Sequence, residues 1–160
     1  MVKKIAGITG ISMLSLAVFM GVSAMAKMPE PDPKALWEHI STTSPYTQWQ
    51  FWDDHQGMQE GDAPHGSFHK VYVNDIAYGS ASTPMKNGSI VVKENYNDTK
   101  KLMALTVMYK VEGYNPDAGD WFWVKYSPKG KAKPYGKPKG CISCHSANPD
   151  SDYVFVHEFE

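Results

Sequence analysis

The sequence predicts an α+β fold that is mainly β: an antiparallel sheet with short helices near the N-terminus. Tyr46, Trp49 and Trp52 recur at helical spacing, whereas apolar and polar residues alternate with a period of two in several segments after residue 67. Clusters of Gly, Pro, Asn and Asp separate these segments. Such clusters are typical of the turns that join antiparallel strands.

Two short helices are expected before the sheet. Residues 33–40 follow Asp32, a residue type that caps helices, and Pro33 suits the first helical turn. Residues 46–52 carry the aromatic side chains with helical spacing, which predicts the second helix.

The strands are predicted from alternation and from β-branched and aromatic content. They cover residues 68–73, 89–96, 102–111, 121–126 and 153–159, and a short helix or turn is expected over 74–81. Residues 127–140 are rich in Lys, Pro and Gly and predict an exposed loop. Its five lysines favour either a docking surface for an acidic partner or a solvated loop with no partner.

Residues 1–26 have the pattern of a secretory signal peptide. Lys3 and Lys4 precede an apolar run over residues 5–22, and Ala24-Met25-Ala26 supplies small residues for cleavage. A retained membrane anchor is the alternative, but it requires about 20 apolar residues. This run is near that limit and contains several Gly, Ser and Thr residues. We therefore expect export, one mature domain over residues 27–160, and no membrane association after cleavage.

The charge balance excludes one class of function. The chain has 16 basic residues, all of them Lys, against 17 acidic residues. A nucleic-acid-binding domain would show a strongly basic face, so no nucleic-acid partner is expected. Because there is no Arg, a bidentate guanidinium contact to a carboxylate or phosphate is impossible.

The two cysteines of the chain lie in the segment Cys141-Ile142-Ser143-Cys144-His145. This spacing is typical of covalent haem c, in which each thiol bonds one vinyl group and the adjacent His ligates the iron. A disulfide would leave His145 without a role, and a zinc site would need ligands that no second Cys pair supplies. We predict that Cys141 and Cys144 hold haem c and that His145 is its axial ligand. Haem c is normally attached outside the cytoplasm, so we expect a periplasmic protein.

The sixth coordination position decides between functions. A Met or His ligand there makes an electron carrier, whereas an empty position makes a site for small ligands. Met58 and Met85 lie in predicted loops, and Met103 and Met108 lie on a predicted strand. The sequence favours none of them as the ligand, and the remaining histidines are more typical of surface or hydrogen-bonding residues.

Lys93 stands inside the apolar run Ile90-Val91-Val92-Lys93-Glu94. An inward lysine is costly unless it is paired or uncharged, and desolvation makes its amine nucleophilic. The alternative is a lysine on the solvent face of an edge strand, and periodicity alone favours that alternative.

Taken together, these segments resemble the cytochrome P-460 family, which includes the related cytochromes c′-beta. The resemblance covers nearly all of residues 27–160, and the late position of the haem motif makes it specific. It rests on the following stretches, in order: Ala63-Pro64-His65-Gly66, Val71-Tyr72-Val73-Asn74, Gly88-Ser89-Ile90-Val91-Val92-Lys93-Glu94, Met108-Tyr109-Lys110, Gly113-Tyr114-Asn115-Pro116-Asp117-Ala118-Gly119-Asp120-Trp121, Gly140 to His145, and Asp152-Tyr153-Val154-Phe155.

The resemblance implies a curved antiparallel sheet, a homodimer, and a five-coordinate haem with an open pocket opposite His145. In the hydroxylamine-oxidising members, a lysine amine is bonded to a meso carbon of the porphyrin, and the matching position here is Lys93. The physical argument agrees, because an uncharged inward amine is able to attack an oxidised macrocycle.

The chain departs from the oxidising members at two positions. Their pocket arginine corresponds here to about His69, and their pocket carboxylate has no match in Ala104-Leu105-Thr106-Val107. Cytochromes c′-beta, in contrast, lack the cross-link and bind nitric oxide beneath aromatic side chains. Candidates for such caps are Phe51, Phe68, Trp121 and Phe122.

The sequence therefore predicts a periplasmic monohaem c-type cytochrome that binds or oxidises hydroxylamine or nitric oxide and passes electrons to a redox partner protein. His69 is the candidate base for proton removal. Two alternatives remain open: a non-catalytic nitric oxide binder, and an electron carrier with a Met sixth ligand.

Overall fold

The structure, a computed structural model, describes residues 27–160, so the predicted signal peptide lies outside the described residues. Its centre is an antiparallel sheet of six strands, each of which pairs with the next strand along the chain. The sheet is open rather than closed into a barrel, which confirms the predicted fold class. The strands are β1 (Gln59–Glu60), β2 (Phe68–Val73), β3 (Ile90–Tyr96), β4 (Leu102–Lys110), β5 (Trp121–Tyr126) and β6 (Ala132–Gly136).

The helices are short. They are α1 (Pro33–Glu38), α2 (Asp75–Tyr78) and α3 (Lys139–His145), with a π-helical turn over His39–Thr43 and 3₁₀ turns over Tyr46–Gln48 and Pro116–Ala118. Asp32 caps α1 as predicted, because its carboxylate accepts the backbone N–H groups of Lys34 and Ala35 at 2.9 Å. No helix within residues 27–160 has the length and apolar character needed to cross a membrane.

The sequence analysis missed strand β6. Residues 127–140 were expected to form a loop, but Ala132 pairs with Tyr126 and Gly136 pairs with Trp123. Lys, Pro and Gly are poor strand formers, and Pro134 cannot donate to a ladder, so the segment carries little strand signal. As the last strand of the sheet, β6 tolerates such residues.

The second predicted helix is wrong beyond its first turn. After Gln48 the backbone becomes extended at Trp49, and the carbonyl of Gln50 accepts the N–H of Val73 on β2 at 2.9 Å. The aromatic side chains therefore divide between the two faces of the sheet, with Trp49 in one apolar cluster and Trp52 in the other. Helical spacing of aromatic residues had suggested a single shared face.

The predicted strand over 153–159 is also wrong, because no strand forms there. Asp152 and Tyr153 have positive φ values of 50° and 69°, which turn the chain away from strand geometry. The alternation itself has a physical cause, since Val154 and Val156 both face the interior of the molecule, in the cavity described below.

Both faces of the sheet are covered. One face packs against Leu36 and Ile40 of the N-terminal helical region. The opposite face packs against the chain that includes α3 and the segment after it, with Trp123 and Val154 in the same apolar cluster. The Cys-Ile-Ser-Cys-His motif therefore lies on a helix over this second face.

Candidate functional site

A cavity of about 630 Å³ lies between the sheet and the segment that follows α3. Cofactor sites typically occupy about 300–1,000 Å³, so the cavity is large enough for one cofactor. All five predicted site residues line it: His69, Lys93, Cys141, Cys144 and His145. The remaining wall is mostly apolar and includes Val71, Val91, Met108, Trp123, Val154 and Phe155.

Helix α3 presents both cysteines to the cavity. Residues three apart in a helix lie on the same face, which explains why Cys141 and Cys144 both reach the wall. Both thiols are free; Cys141 is half-buried and Cys144 is exposed. Burial raises the pKa of the Cys141 thiol, and the positive charge of Lys125 opposes that rise. Two free thiols on one helical face are what two thioether bonds to a single haem require.

His145 has the ring orientation of a metal ligand. Its Nδ1 lies 2.7 Å from the carbonyl oxygen of Tyr153, so Nδ1–H donates to that oxygen and Nε2 carries the lone pair. The ring packs edge-on against Trp123 and Phe155, with centroid distances of 4.8 and 5.2 Å. Burial lowers the pKa of His145, against the effect of the bond to Tyr153, so the imidazole is neutral near pH 7 and able to ligate iron.

A buried ion pair fixes the carbonyl that orients His145. Asp152, the residue before Tyr153, pairs with Lys110 of β4 at 2.6 Å, and the two side chains are only 5% and 8% exposed. The Asp152 carboxylate also accepts the N–H of Met85 at 2.8 Å, and its carbonyl accepts the indole N–H of Trp121 at 2.9 Å. The sequence analysis missed this pair, although Lys110, like Lys93, interrupts a strand of apolar residues.

Lys93 points into the cavity, so the solvent-face alternative is wrong. On β3 it lies between Val71 of β2 and Thr106 of β4, and all three residues line the cavity. Its neighbour Glu94 faces the other side of the sheet and accepts a hydrogen bond from Tyr46 at 2.8 Å. Neither ion pair found within residues 27–160 includes Lys93, and burial lowers the pKa of its amine.

His69 lies on β2, beside the wall that Lys93 forms. Its Nε2 is 2.8 Å from Nε2 of His55, and the two rings are stacked with centroids 4.9 Å apart. Burial lowers the pKa of His69 to about 4, and the positive charge of Lys93 is the next largest cause. A base that is neutral at pH 7 is the form that accepts a proton, so this geometry is compatible with the predicted role of His69.

Two other histidines near the cavity were not singled out from the sequence. His65 lines the wall, with its ring 6.2 Å from that of His145, and burial followed by the charge of Lys93 lowers its pKa to about 4. His55 is outside the wall and reaches the site only through His69. The one available signal was the position of His65 within the Ala-Pro-His-Gly stretch.

The four candidate aromatic caps do not line the cavity. Side chains alternate along β5, so Phe122 faces the α1 side while Trp123 faces the cavity. Trp123 and Phe155 supply the aromatic wall instead. Among the methionines of residues 27–160, Met108 is the one that lines the cavity, whereas Met85 is buried in the core beside it.

These residues fit a covalently held haem: free thiols on one face of α3, an imidazole whose Nε2 is available, and apolar walls of sufficient volume. In comparisons with known proteins, the cytochrome P460 family model matches residues 43–156. No curated protein matches the chain.

Proposed function

The chain belongs to the cytochrome P460 family, which implies a haem cofactor, and from this premise we propose that it is an exported monohaem c-type cytochrome that binds and oxidises hydroxylamine. Haem c would be held by Cys141 and Cys144, with His145 as its axial ligand. When bound, the haem supplies a redox-active iron with one open coordination position.

The observation that carries the proposal is the inward Lys93 amine. It shares one cavity with the attachment motif, and burial lowers its pKa. An uncharged amine there is a nucleophile and supports a covalent bond from Lys93 to the macrocycle. In the family that this chain resembles, such a bond marks the hydroxylamine-oxidising members.

The remaining roles are assigned to residues of the wall. His69 accepts the proton that the substrate loses, because its imidazole is neutral and buried at the cavity. Trp123, Val154 and Phe155 exclude water from the reacting ligand. Electrons leave to a redox partner protein, and the lysines of residues 127–140, adjacent to α3, favour an acidic one.

Lys93→Ala tests the proposal, with Lys125→Ala as the matched control. Lys125 is also a lysine of the cavity wall, but it lies on β5 and is exposed. Both variants are expressed with a haem c maturation system, and their reduced absorption spectra are compared with that of the parent. We expect a red-shifted ferrous Soret band in the parent and in Lys125→Ala, and an ordinary band in Lys93→Ala. Coinciding parent and Lys93→Ala spectra would contradict the cross-link.

A non-catalytic nitric oxide binder is the second candidate. Two features favour it: β4 provides no carboxylate at Ala104–Val107, and Trp123 and Phe155 give the cavity an aromatic wall. Steady-state oxidation of hydroxylamine with a dye as electron acceptor separates the two functions. Nitric oxide binding without hydroxylamine turnover would establish the second candidate.

Localisation and assembly are part of the same proposal. Residues 1–26 would direct export and be removed, leaving a periplasmic protein, and the family resemblance supports a homodimer. The N-terminal sequence of the periplasmic fraction tests the cleavage, and light scattering tests the dimer. An intact N-terminus or a monomer at micromolar concentration would contradict the respective statement.

A further inference from the structure

His69 and His55 form a pair that connects the cavity with the protein exterior. His69 lines the cavity and is only 6% exposed, whereas His55 lies outside the wall and is half-buried. Their Nε2 atoms are 2.8 Å apart. This distance requires that one of the two nitrogens carries a proton and the other accepts it.

The second nitrogen of His69 is buried without a hydrogen-bond partner in the described part of the chain. A Cβ placed on Gly61 would lie 2.9 Å from this Nδ1, so the atom faces Gly61, which is itself part of the cavity wall. A buried polar atom without a partner is costly, and the ligand space of the cavity is the place where a partner is available to it.

The charges around the pair favour transfer outward. Burial and the positive charge of Lys93 lower the pKa of both histidines, so a proton does not remain on either ring. His55, however, also has the exposed carboxylate of Asp54 nearby, which acts against that lowering. A proton is therefore better stabilised on His55, at the outer end, than on His69 at the cavity.

We propose that His69 and His55 form a relay that carries protons from an N–H-bearing ligand in the cavity to solvent. The N–H bond of the ligand breaks and its electrons leave through the iron to the acceptor of the proposed function. The proton bonds to His69 Nδ1, the proton on His69 Nε2 moves to His55 Nε2, and His55 releases its Nδ1 proton. One proton enters and one leaves, and reversal of the two tautomers resets the pair.

This relay rests on the proposed function and narrows its substrate class. Hydroxylamine has N–H protons to release, whereas nitric oxide and carbon monoxide have none. The relay therefore affects oxidation of a proton-bearing ligand and leaves the binding of diatomic gases unchanged. It also compensates for the missing carboxylate at Ala104–Val107.

His55→Gln in the haem-loaded protein tests the relay. Glutamine keeps a hydrogen-bonding group beside His69 but cannot pass a proton from one atom to another. We expect kcat for hydroxylamine to fall by about 10²-fold, with unchanged carbon monoxide binding and an unchanged reduced spectrum. His39→Gln is the control, because His39 is a buried histidine of the N-terminal helical region and is not part of the cavity wall.

The outcomes separate the relay from the function on which it rests. If the parent turns over and His55→Gln keeps its kcat, the relay is wrong and the proposed function stands. If the parent does not oxidise hydroxylamine, the proposed function fails and the relay fails with it. A measurement on the parent alone covers the case of a misfolded variant: the rate in mixtures of H₂O and D₂O should curve, because two protons move together. A linear dependence, or none, contradicts the relay.

Discussion

Lys110 and Asp152 are 42 residues apart in the chain, yet the lysine Nζ contacts both oxygens of the Asp152 carboxylate, at 2.6 and 2.7 Å. The next residue, Tyr153, presents the carbonyl that accepts the hydrogen bond of His145. Strand β4 therefore fixes the orientation of the proposed axial ligand without touching it. Metal-bound histidines commonly depend on such a partner for their tautomer and ring orientation.

Asp152→Asn should destabilise the protein strongly. It leaves Lys110 buried with no charged partner, and removal of one member of a buried pair costs about 3–5 kcal/mol. Urea denaturation measures the free energy of unfolding, with Asp150→Asn as the control because Asp150 is exposed and precedes the same segment. Equal losses in the two variants would show that the ion pair does not hold this segment.

Gly119→Ala should disturb His145 from a distance. Gly119 has a φ of +66°, and a Cβ there would lie 2.8 Å from the ring of Tyr153. Gly113→Ala is a matched control, because Gly113 has a φ of +74° but nothing within 4 Å of the added carbon. Both variants carry the left-handed strain of about 1–2 kcal/mol. We expect only Gly119→Ala to lose more stability and to alter the spectrum of the ferric haem, and identical behaviour of the two would contradict the contact.

The sequence contained most of the sheet but not the assignment of its faces. Alternation located β2 to β5, since each has strong strand formers and clear turns. Both faces of β3 are buried, with Val91 on one side and Val92 on the other, so alternation alone could not tell which way Lys93 points. The structure resolved this through the cavity on one side and Glu94 on the other.

The missed parts of the site have no local signal. His55 and His69 are 14 residues apart, in a turn and on a strand, and only the pairing of β1 with β2 and the preceding chain brings them together. The segment 153–159 alternates like a strand because its apolar residues close the cavity, and no neighbouring strand pairs with it. Sequence patterns report burial, whereas hydrogen-bond partners depend on the whole fold.

Acidification from pH 7 to pH 5 should destabilise the protein. The pKa values of His65 and His69 are about 4 in the folded state, against 6.5 for an ordinary histidine. Between these values the unfolded chain binds more protons than the folded one, so stability is complete above pH 6.5 and is lost as the pH falls towards 4. After discounting for solvent screening, we expect the pair to lose about 1–2 kcal/mol.

Urea denaturation at pH 7 and pH 5 measures this loss. The double variant His65→Gln/His69→Gln has no titrating ring at either position and should lose less stability over the same interval. If parent and double variant show the same pH dependence, other groups are responsible for it.

Met108→Leu should leave the haem spectrum unchanged. Met108 is the cavity methionine of the described chain, so an electron carrier with a Met ligand would depend on it. The proposed open position requires no ligand from Met108, and Leu has a similar volume, so we expect a stability loss of less than about 1.5 kcal/mol. Met85→Leu, a change in the buried core beside Asp152, is the control. The parent should be high-spin and bind carbon monoxide. A low-spin parent that becomes high-spin only in Met108→Leu would instead identify an electron carrier, because removal of the sixth ligand is what opens the iron.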